Sequence, residues 1–401
     1  MRVGPNEMSF SSPRAHSEIY GVRANVAKST GYHAMSPSRR KLNTISETDK
    51  GVHAWKRKVH MQALSDKSLK EIEDRILEHI DRFVSGLGVC RRDDTDGGED
   101  SHCVAPDEGR EAWASPKNMS DHCDWLTYDI ISDLTLGQSL DLLSSPRMRF
   151  FPRAVQLTSQ AVMLAFVNPE IHHRNWYKLL FALKYNMIAS FISWTREQTA
   201  ARARVERESA AKKDFVQLMQ GAQDSKTGET FSEKEVWTEI VMLLVAGADT
   251  TSSATAAVIY HLIHNPSILA QVATEIRETF ASTEDIRLGG ALNSCQLLQA
   301  CINETMRLSP PVTAGLPRQV QKGGFRVEDD FFAEGTMVMC PLYTLHRDPD
   351  IFDEPDRFRP MRWIVDPDAG NPSEKVQKLH TAFFPFSTGT RSWYVHPPVG
   401  P

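Results

Sequence analysis

Apolar residues recur at three- and four-residue steps along most of this chain, the period of helices with one buried face. From Val52 to about Gly86 the stripe is Leu69, Ile72, Ile76, Ile80 and Phe83, and Ser65-Asp66 marks a helix boundary inside it. Helical patterning resumes at Asp124–Leu143 and, broken by Pro152 and Pro169, reaches Gln220. Ser232 opens the longest predicted helix, with Glu235 three residues on as its capping-box partner, and Asn265-Pro266 stops it after His264. Two more helices follow, from Ser267 to Phe280 and from Ser294 to Leu308, the second closed by Pro310-Pro311. Strand character is confined to 312–345, where Gly323-Gly324 and Gly335 mark turns, and to a strand or two among the loops of 1–50. Residues 90–118 are polar and rich in glycine and acid, which predicts an exposed, mobile insertion. Asp348–Trp363 has no period and predicts an ordered coil. The expected architecture is mainly α, one domain over 1–401 with a minor β-sheet.

Composition narrows this. Apolar residues are 41%, charged 24% and aromatic 8% of 401, ordinary globular usage that excludes a disordered, collagenous or coiled-coil chain. The net charge of -5, from 46 basic and 51 acidic side chains, gives no basic excess and so no nucleic-acid partner. Cys90, Cys103, Cys123, Cys295, Cys301 and Cys340 form no CxxC or zinc-type cluster, so they are expected to be reduced thiols of an intracellular-facing protein. No run approaches the ~20 apolar residues that span a bilayer, and the start has no apolar core of a signal peptide. The most apolar segment, Trp176–Trp194, is interrupted by Lys184 and Asn186. It reads as a core helix or as an element dipping into a membrane interface.

Common nucleotide and zinc signatures fail: there is no GxxxxGK[ST] or HExxH, and Gly86-Leu-Gly88 meets Arg91 where a third glycine should stand. The chemistry lies elsewhere. Leu243–Ser253 puts Gly247, Asp249 and four consecutive hydroxyl residues into a helix interior, where glycine costs about 1 kcal/mol and hydroxyls compete for the backbone. Gly247 would let a bulky ligand approach, with Asp249 and Thr250 as acid and hydroxyl of a proton relay, or the small residues serve a helix–helix contact. Glu304 and Arg307 share a helical face, a pattern that alone describes a solvated salt bridge. The coil Pro355–Trp363 is dense in arginine and must satisfy its polar backbone, which an arginine held by a buried carboxylate would do.

Together AGADTT at 246–251, ExxR at 304–307, PDRFRPxRW at 355–363 and FSTGTR at 386–391, in that order, resemble a cytochrome P450, of the microsomal type found in fungal secondary metabolism. The resemblance covers nearly the whole chain. It implies a haem b cofactor, a lipophilic small-molecule substrate and an NADPH–cytochrome P450 reductase as electron donor. By position it implies that Asp249 and Thr250 deliver protons and that Glu304, Arg307 and Arg357 form a structural triad. It implies haem-propionate contacts for His53 and Arg57 (HxxxR), Arg318 and Arg391, with Gly247 and Phe386 also at the cofactor; His53 by itself reads equally as a surface helix residue. It places Trp176–Trp194 at the membrane surface beside the substrate channel, on the cytosolic face of the endoplasmic reticulum.

The pattern then departs. The haem loop should run Phe-x-x-Gly-x-Arg-x-Cys, and Phe386, Gly389 and Arg391 are followed by Trp393 in the cysteine place. A thiolate gives the family its iron chemistry, whereas an indole N–H only donates. His396 is displaced by three residues and flanked by proline. The expected anchor and the segment after the loop are both missing, so the chain resembles a family member truncated at each end. It reads as a monooxygenase with an incomplete sequence or as an inactive pseudoenzyme. An isomerase of peroxides is disfavoured by the intact Asp249–Thr250 pair. Trp393-Tyr394-Val395 is also what TGG-TAT-GTN encodes: a cysteine codon cut after TG by an intron opening GTATGT, so that 393–401 would be a non-native tail.

Overall fold

The computed structural model describes residues 1–88, 116–167, 174, 176, 182–205 and 214–392. Most of the expected insertion, part of Trp176–Trp194 and the tail from Trp393 lie outside the described residues.

The main helices are α1 (Pro13–Tyr20), α2 (Lys50–Ala63), α3 (Asp66–Leu87), α4 (Met119–Leu136), α5 (Phe150–Val167), α6 (Tyr185–Ala203), α7 (Phe215–Gln220), α8 (Glu233–Ile263), α9 (Pro266–Thr279), α10 (Gln296–Leu308) and α11 (Ser373–Thr381). Ser65 caps α3 with a side-chain bond to the Ser68 amide, which is why the 52–86 stripe splits there. The capping box at Ser232 is formed, Glu235 returning its carboxylate to the Ser232 amide. Pro152 does not break a helix. It lies in the first turn of α5, where a missing N–H costs nothing. α4 ends at Gly137, short of the expected Leu143, and α11 follows the expected coil of 348–363.

α8 is the axis of the molecule. Residues Val236 to Leu244 are all buried, against Tyr128 and Leu136 of α4, Phe151 and Val155 of α5, Phe191 of α6 and Met219 of α7. By length and composition alone this helix would pass for a membrane span, against the expectation that none approaches one; its apolar half is instead the protein core. Inside that core Glu239 is fully buried. It faces Lys56 Nζ at 3.3 Å and His60 Nε2 at 3.2 Å from α2, and accepts the Thr44 amide at 3.0 Å. Burial opposes the charge, yet His60 and Lys56 hold the carboxyl below its ordinary range. This cluster fixes α2 against α8.

The main sheet has strand order β1-β2-β7-β4-β3, from Arg2–Gly4, Glu7–Ser9, Met337–Met339, Arg318–Val320 and Val26–Lys28. β2 and β7 run parallel and the other pairs antiparallel. A hairpin of β5 (Phe325–Val327) and β6 (Asp330–Phe332) stands beside it. α1 packs Ile19 onto Val320 and Val338, so the sheet and α1 form a second core. The β3–β4 register sets Lys28 opposite Arg318.

Candidate functional site

That register is unusual. Like charges directly opposed across an antiparallel pair are destabilising, and here both are buried. α2 brings His53 and Arg57 to the same place, and the loop after Gly389 brings Arg391. The five line a cavity of about 510 Å³ that α1 closes with Ile19 and Tyr20. Burial pushes the Lys28 ammonium well below its ordinary range, and Arg391 and Arg318 push it further. Burial and then Arg391, Lys28, Arg57 and Arg318 drive His53 down to about 2. Burial and then Arg318 bring Arg391 to about 10. A group of cations that disfavour one another's charge is a site waiting for an anion.

Several of their hydrogen bonds go to neutral acceptors. Arg318 Nη1 donates to the Tyr32 hydroxyl at 2.7 Å, Arg391 to the Glu47 and Thr48 carbonyls at 2.6 and 3.2 Å, Arg57 to the Ser392 carbonyl, and Lys28 to the Ile45 carbonyl at 2.5 Å. Gly389 holds the loop down with φ 74°, and a Cβ there would fall 2.2 Å from the Tyr20 carbonyl oxygen. The structure thus brings His53, Arg57, Arg318 and Arg391 together and buries His53, removing its reading as a surface residue. It adds Lys28, for which a short Val-Ala-Lys strand carried no signal. Phe386 is not in the cavity lining; it packs against the separate cluster of Phe352, Trp363 and Phe383.

The haem fit divides in two. Lys28, Arg57, Arg318 and Arg391, with the His53 ring as a further hydrogen-bond donor, match a group bearing two carboxylates. Among the described residues no cysteine joins them: Cys123, Cys295, Cys301 and Cys340 are buried outside the cavity lining, and the sequence has tryptophan at position 393. Burial raises Cys123 to about 11 and Cys301 and Cys340 to about 12, so these are thiols and not thiolates.

On α8, Thr250 Oγ1 donates back to the Ala246 carbonyl at 2.7 Å, and Ser252 and Ser253 do the same to Asp249 at 3.2 and 2.8 Å. Such back-bonds let a run of hydroxyls stay helical. Asp249 is half-buried, its carboxyl raised by burial and by Asp124. Asp249 and Thr250 are not in the lining of the cationic cavity. Gly247 points where a Cβ would meet Ile131 Cδ1 of α4 at 2.9 Å, so its small size serves the helix–helix contact left open above and not an approaching ligand.

α10 carries a fully buried carboxylate. Glu304 takes Arg307 Nε and Nη2 at 2.9 and 2.8 Å, Arg362 Nε at 3.2 Å, Trp363 Nε1 at 2.9 Å and the Arg359 amide at 2.9 Å. Arg307 spends its remaining donors on the carbonyls of His346, Pro355 and Arg357. This corrects the expected triad. The Arg357 side chain is 72% exposed and pairs with Glu354; its backbone carbonyl, not its guanidinium, joins the network. The 3₁₀ turn Pro360–Trp363 carries Arg362 inward, and the buried Trp363 beside it was the available signal.

The comparisons identify the family. The cytochrome P450 family model matches residues 3–392. The chain is 32% identical to the cytochrome P450 monooxygenase poxM of Penicillium oxalicum over 98% of its length and 72% of the relative's. It is also 32% identical to atnE, of Emericella nidulans, over 98% of this chain and 73% of that one. The cytochrome P450DA heme domain superposes with a TM-score of 0.70 at 18% identity, covering 98% of this chain and 78% of that one, which speaks to fold.

Proposed function

The chain belongs to the cytochrome P450 family, and from that premise we propose a monooxygenase lineage acting on a lipophilic small molecule of secondary metabolism. The observation that carries the reading is the convergence of Lys28, His53, Arg57, Arg318 and Arg391 on one cavity. In this reading those cations bind the propionates of the haem the family carries, and the Glu304 network fixes the coil beneath it. Asp249 and Thr250 hold and pass protons. Haem bound through a thiolate supplies the oxygen chemistry. An NADPH-dependent reductase would supply electrons, and the region from Trp176 to Trp194 would rest on the cytosolic face of the endoplasmic reticulum membrane.

With Trp393 in place of the thiolate, the polypeptide as written is an inactive pseudoenzyme in this proposal, and an interrupted cysteine codon accounts for the substitution. Sequencing the cDNA at codon 393 tests the origin: a mature message encoding tryptophan there refutes the intron. The reduced CO difference spectrum tests the chemistry. The 401-residue chain is expected to lack the thiolate-type band and the product of a cysteine-encoding message to have it. A thiolate-type band from the 401-residue chain would refute the inactivity.

A further inference from the structure

Segment 42–48, between β3 and α2, forms neither helix nor strand, yet Asn43, Thr44 and Ser46 are almost fully buried. A backbone shut away from water must find its partners inside the protein. Some lie within the segment: the Asn43 amide donates to Ser46 Oγ and the Ser46 amide to Asn43 Oδ1, both at 2.9 Å. Other carbonyls meet cations. Lys56 Nζ donates to the Leu42 carbonyl at 2.6 Å, and Lys28 Nζ to the Thr44 and Ile45 carbonyls at 3.3 and 2.5 Å. Arg391 donates to the carbonyls of Glu47 and Thr48.

Glu239 grips the same segment. Its Oε2 accepts the Thr44 amide at 3.0 Å, and its Oε1 faces Lys56 Nζ at 3.3 Å. Thr44 therefore bridges two groups, its N–H bound to Glu239 and its C=O to Lys28. Lys28 and Arg391 line the cationic cavity, and Glu239 does not. Packing α2 against α8 needs only the Lys56 and His60 contacts. The bond to Thr44 does something else: it fixes the peptide on which a cavity cation rests. An ammonium has three donors. Two of those on Lys28 meet the Thr44 and Ile45 carbonyls, so the direction of the third follows from where those carbonyls stand. The Glu47 and Thr48 carbonyls orient Arg391 in the same way. The charges of Glu47 and Glu239 also favour the Lys28 ammonium against the burial that lowers it.

We propose that Glu239 is a positioning residue for the cationic cavity: through the Thr44 amide it sets segment 42–48, whose carbonyls direct Lys28 and Arg391 toward a bound carboxylate. This rests on the cavity taking the haem propionates, as proposed above. Glu239→Gln keeps the size of the side chain but leaves one acceptor oxygen for three donors, the Thr44 amide, Lys56 and His60. The segment then loses its fixed point and the two cations lose their direction. What suffers is the recognition of carboxylates, not of the apolar body of the ligand.

Fluorescence titration of the 401-residue chain with protoporphyrin IX and with its dimethyl ester tests this without iron or an axial ligand. The two probes share the apolar ring, and only the first carries carboxylates. The wild type should prefer the diacid by about tenfold or more, as a charge-assisted hydrogen bond would give. Glu239→Gln should reduce that preference by about fivefold or more, one hydrogen bond's worth, and leave the affinity for the ester unchanged. Equal weakening of both probes would make Glu239 a support of the fold alone and overturn the proposal, as would an unchanged preference. A wild type without any preference refutes the propionate reading itself, and this one with it. Should Glu239→Gln not fold, hydrogen exchange of the wild type decides: the diacid should slow exchange of the 42–48 amides and the ester should not. Exchange that the diacid leaves unmoved overturns the coupling of the segment to the cavity.

Discussion

Arg362 Nε meets Glu304 Oε1 at 3.2 Å, with both side chains almost fully buried, fifty-eight residues apart in sequence. That contact ties the irregular coil of 348–363 to α10. The coil has few backbone partners of its own. It borrows the donors and acceptors of one ion-pair network, in which Arg307 reaches the carbonyls of Pro355 and Arg357 in the coil and of His346 just before it.

Arg362→Ala should therefore leave the Glu304 charge short of a partner inside the core and cost about 3–5 kcal/mol of stability, as broken buried pairs do. Arg357→Ala removes only an exposed contact to Glu354 and should not shift the urea midpoint measurably. Comparing the two midpoints decides the assignment. Equal losses would return Arg357 to the network.

How far the site was legible follows from the same residues. Glu304 and Arg307 were visible because i, i+3 spacing on a helix is a local rule. The choice among Arg357, Arg359 and Arg362 was not local: it depends on a 3₁₀ turn whose direction is set by Trp363 packing on Phe383 and His380. Lys28 was invisible for a related reason. Its meaning comes from strand register with Arg318, which lies 290 positions away along the chain. Gly247 carried a real signal, but one sequence cannot say whether a small residue admits a ligand or the neighbouring Ile131. The helices, whose periods and caps are local, were the most readable part.

His16 gives a pH test. Its ring is 1% exposed and stacks on Phe384 at 4.0 Å, and burial followed by the Arg318 charge lowers it to about 3. The folded state thus stays unprotonated while the unfolded chain, with its ordinary value near 6.5, takes up a proton. Stability is undiminished above that unfolded value and falls as pH drops from it toward 3. At pH 5 the penalty is about 2 kcal/mol. His16→Phe keeps the stacking and removes the penalty. Urea unfolding at pH 7 and pH 5 should show the variant losing about 2 kcal/mol less than the wild type across that interval. Equal acid losses would mean that His16 is protonated in the folded protein.

The last test concerns Thr250. Its hydroxyl donates to the Ala246 carbonyl at 2.7 Å, which leaves the oxygen lone pairs available as acceptors on the face of α8 beside Asp249. In the proposed relay a residue so placed would hold a proton path without contributing to the core. Thr250→Ala, made in a thiolate-bearing form, should leave substrate affinity unchanged, because it removes a hydroxyl and a methyl from a half-buried position. It should lower the share of NADPH oxidation that ends in product by about tenfold or more, the smaller end of a general acid–base contribution, with hydrogen peroxide released instead. Thr250→Ser keeps the hydroxyl and should keep most of the coupling. The measurement is product and peroxide per NADPH consumed, in all three proteins. Tight coupling in the alanine variant would remove Thr250 from the relay and leave its back-bond to Ala246 as a purely structural contact.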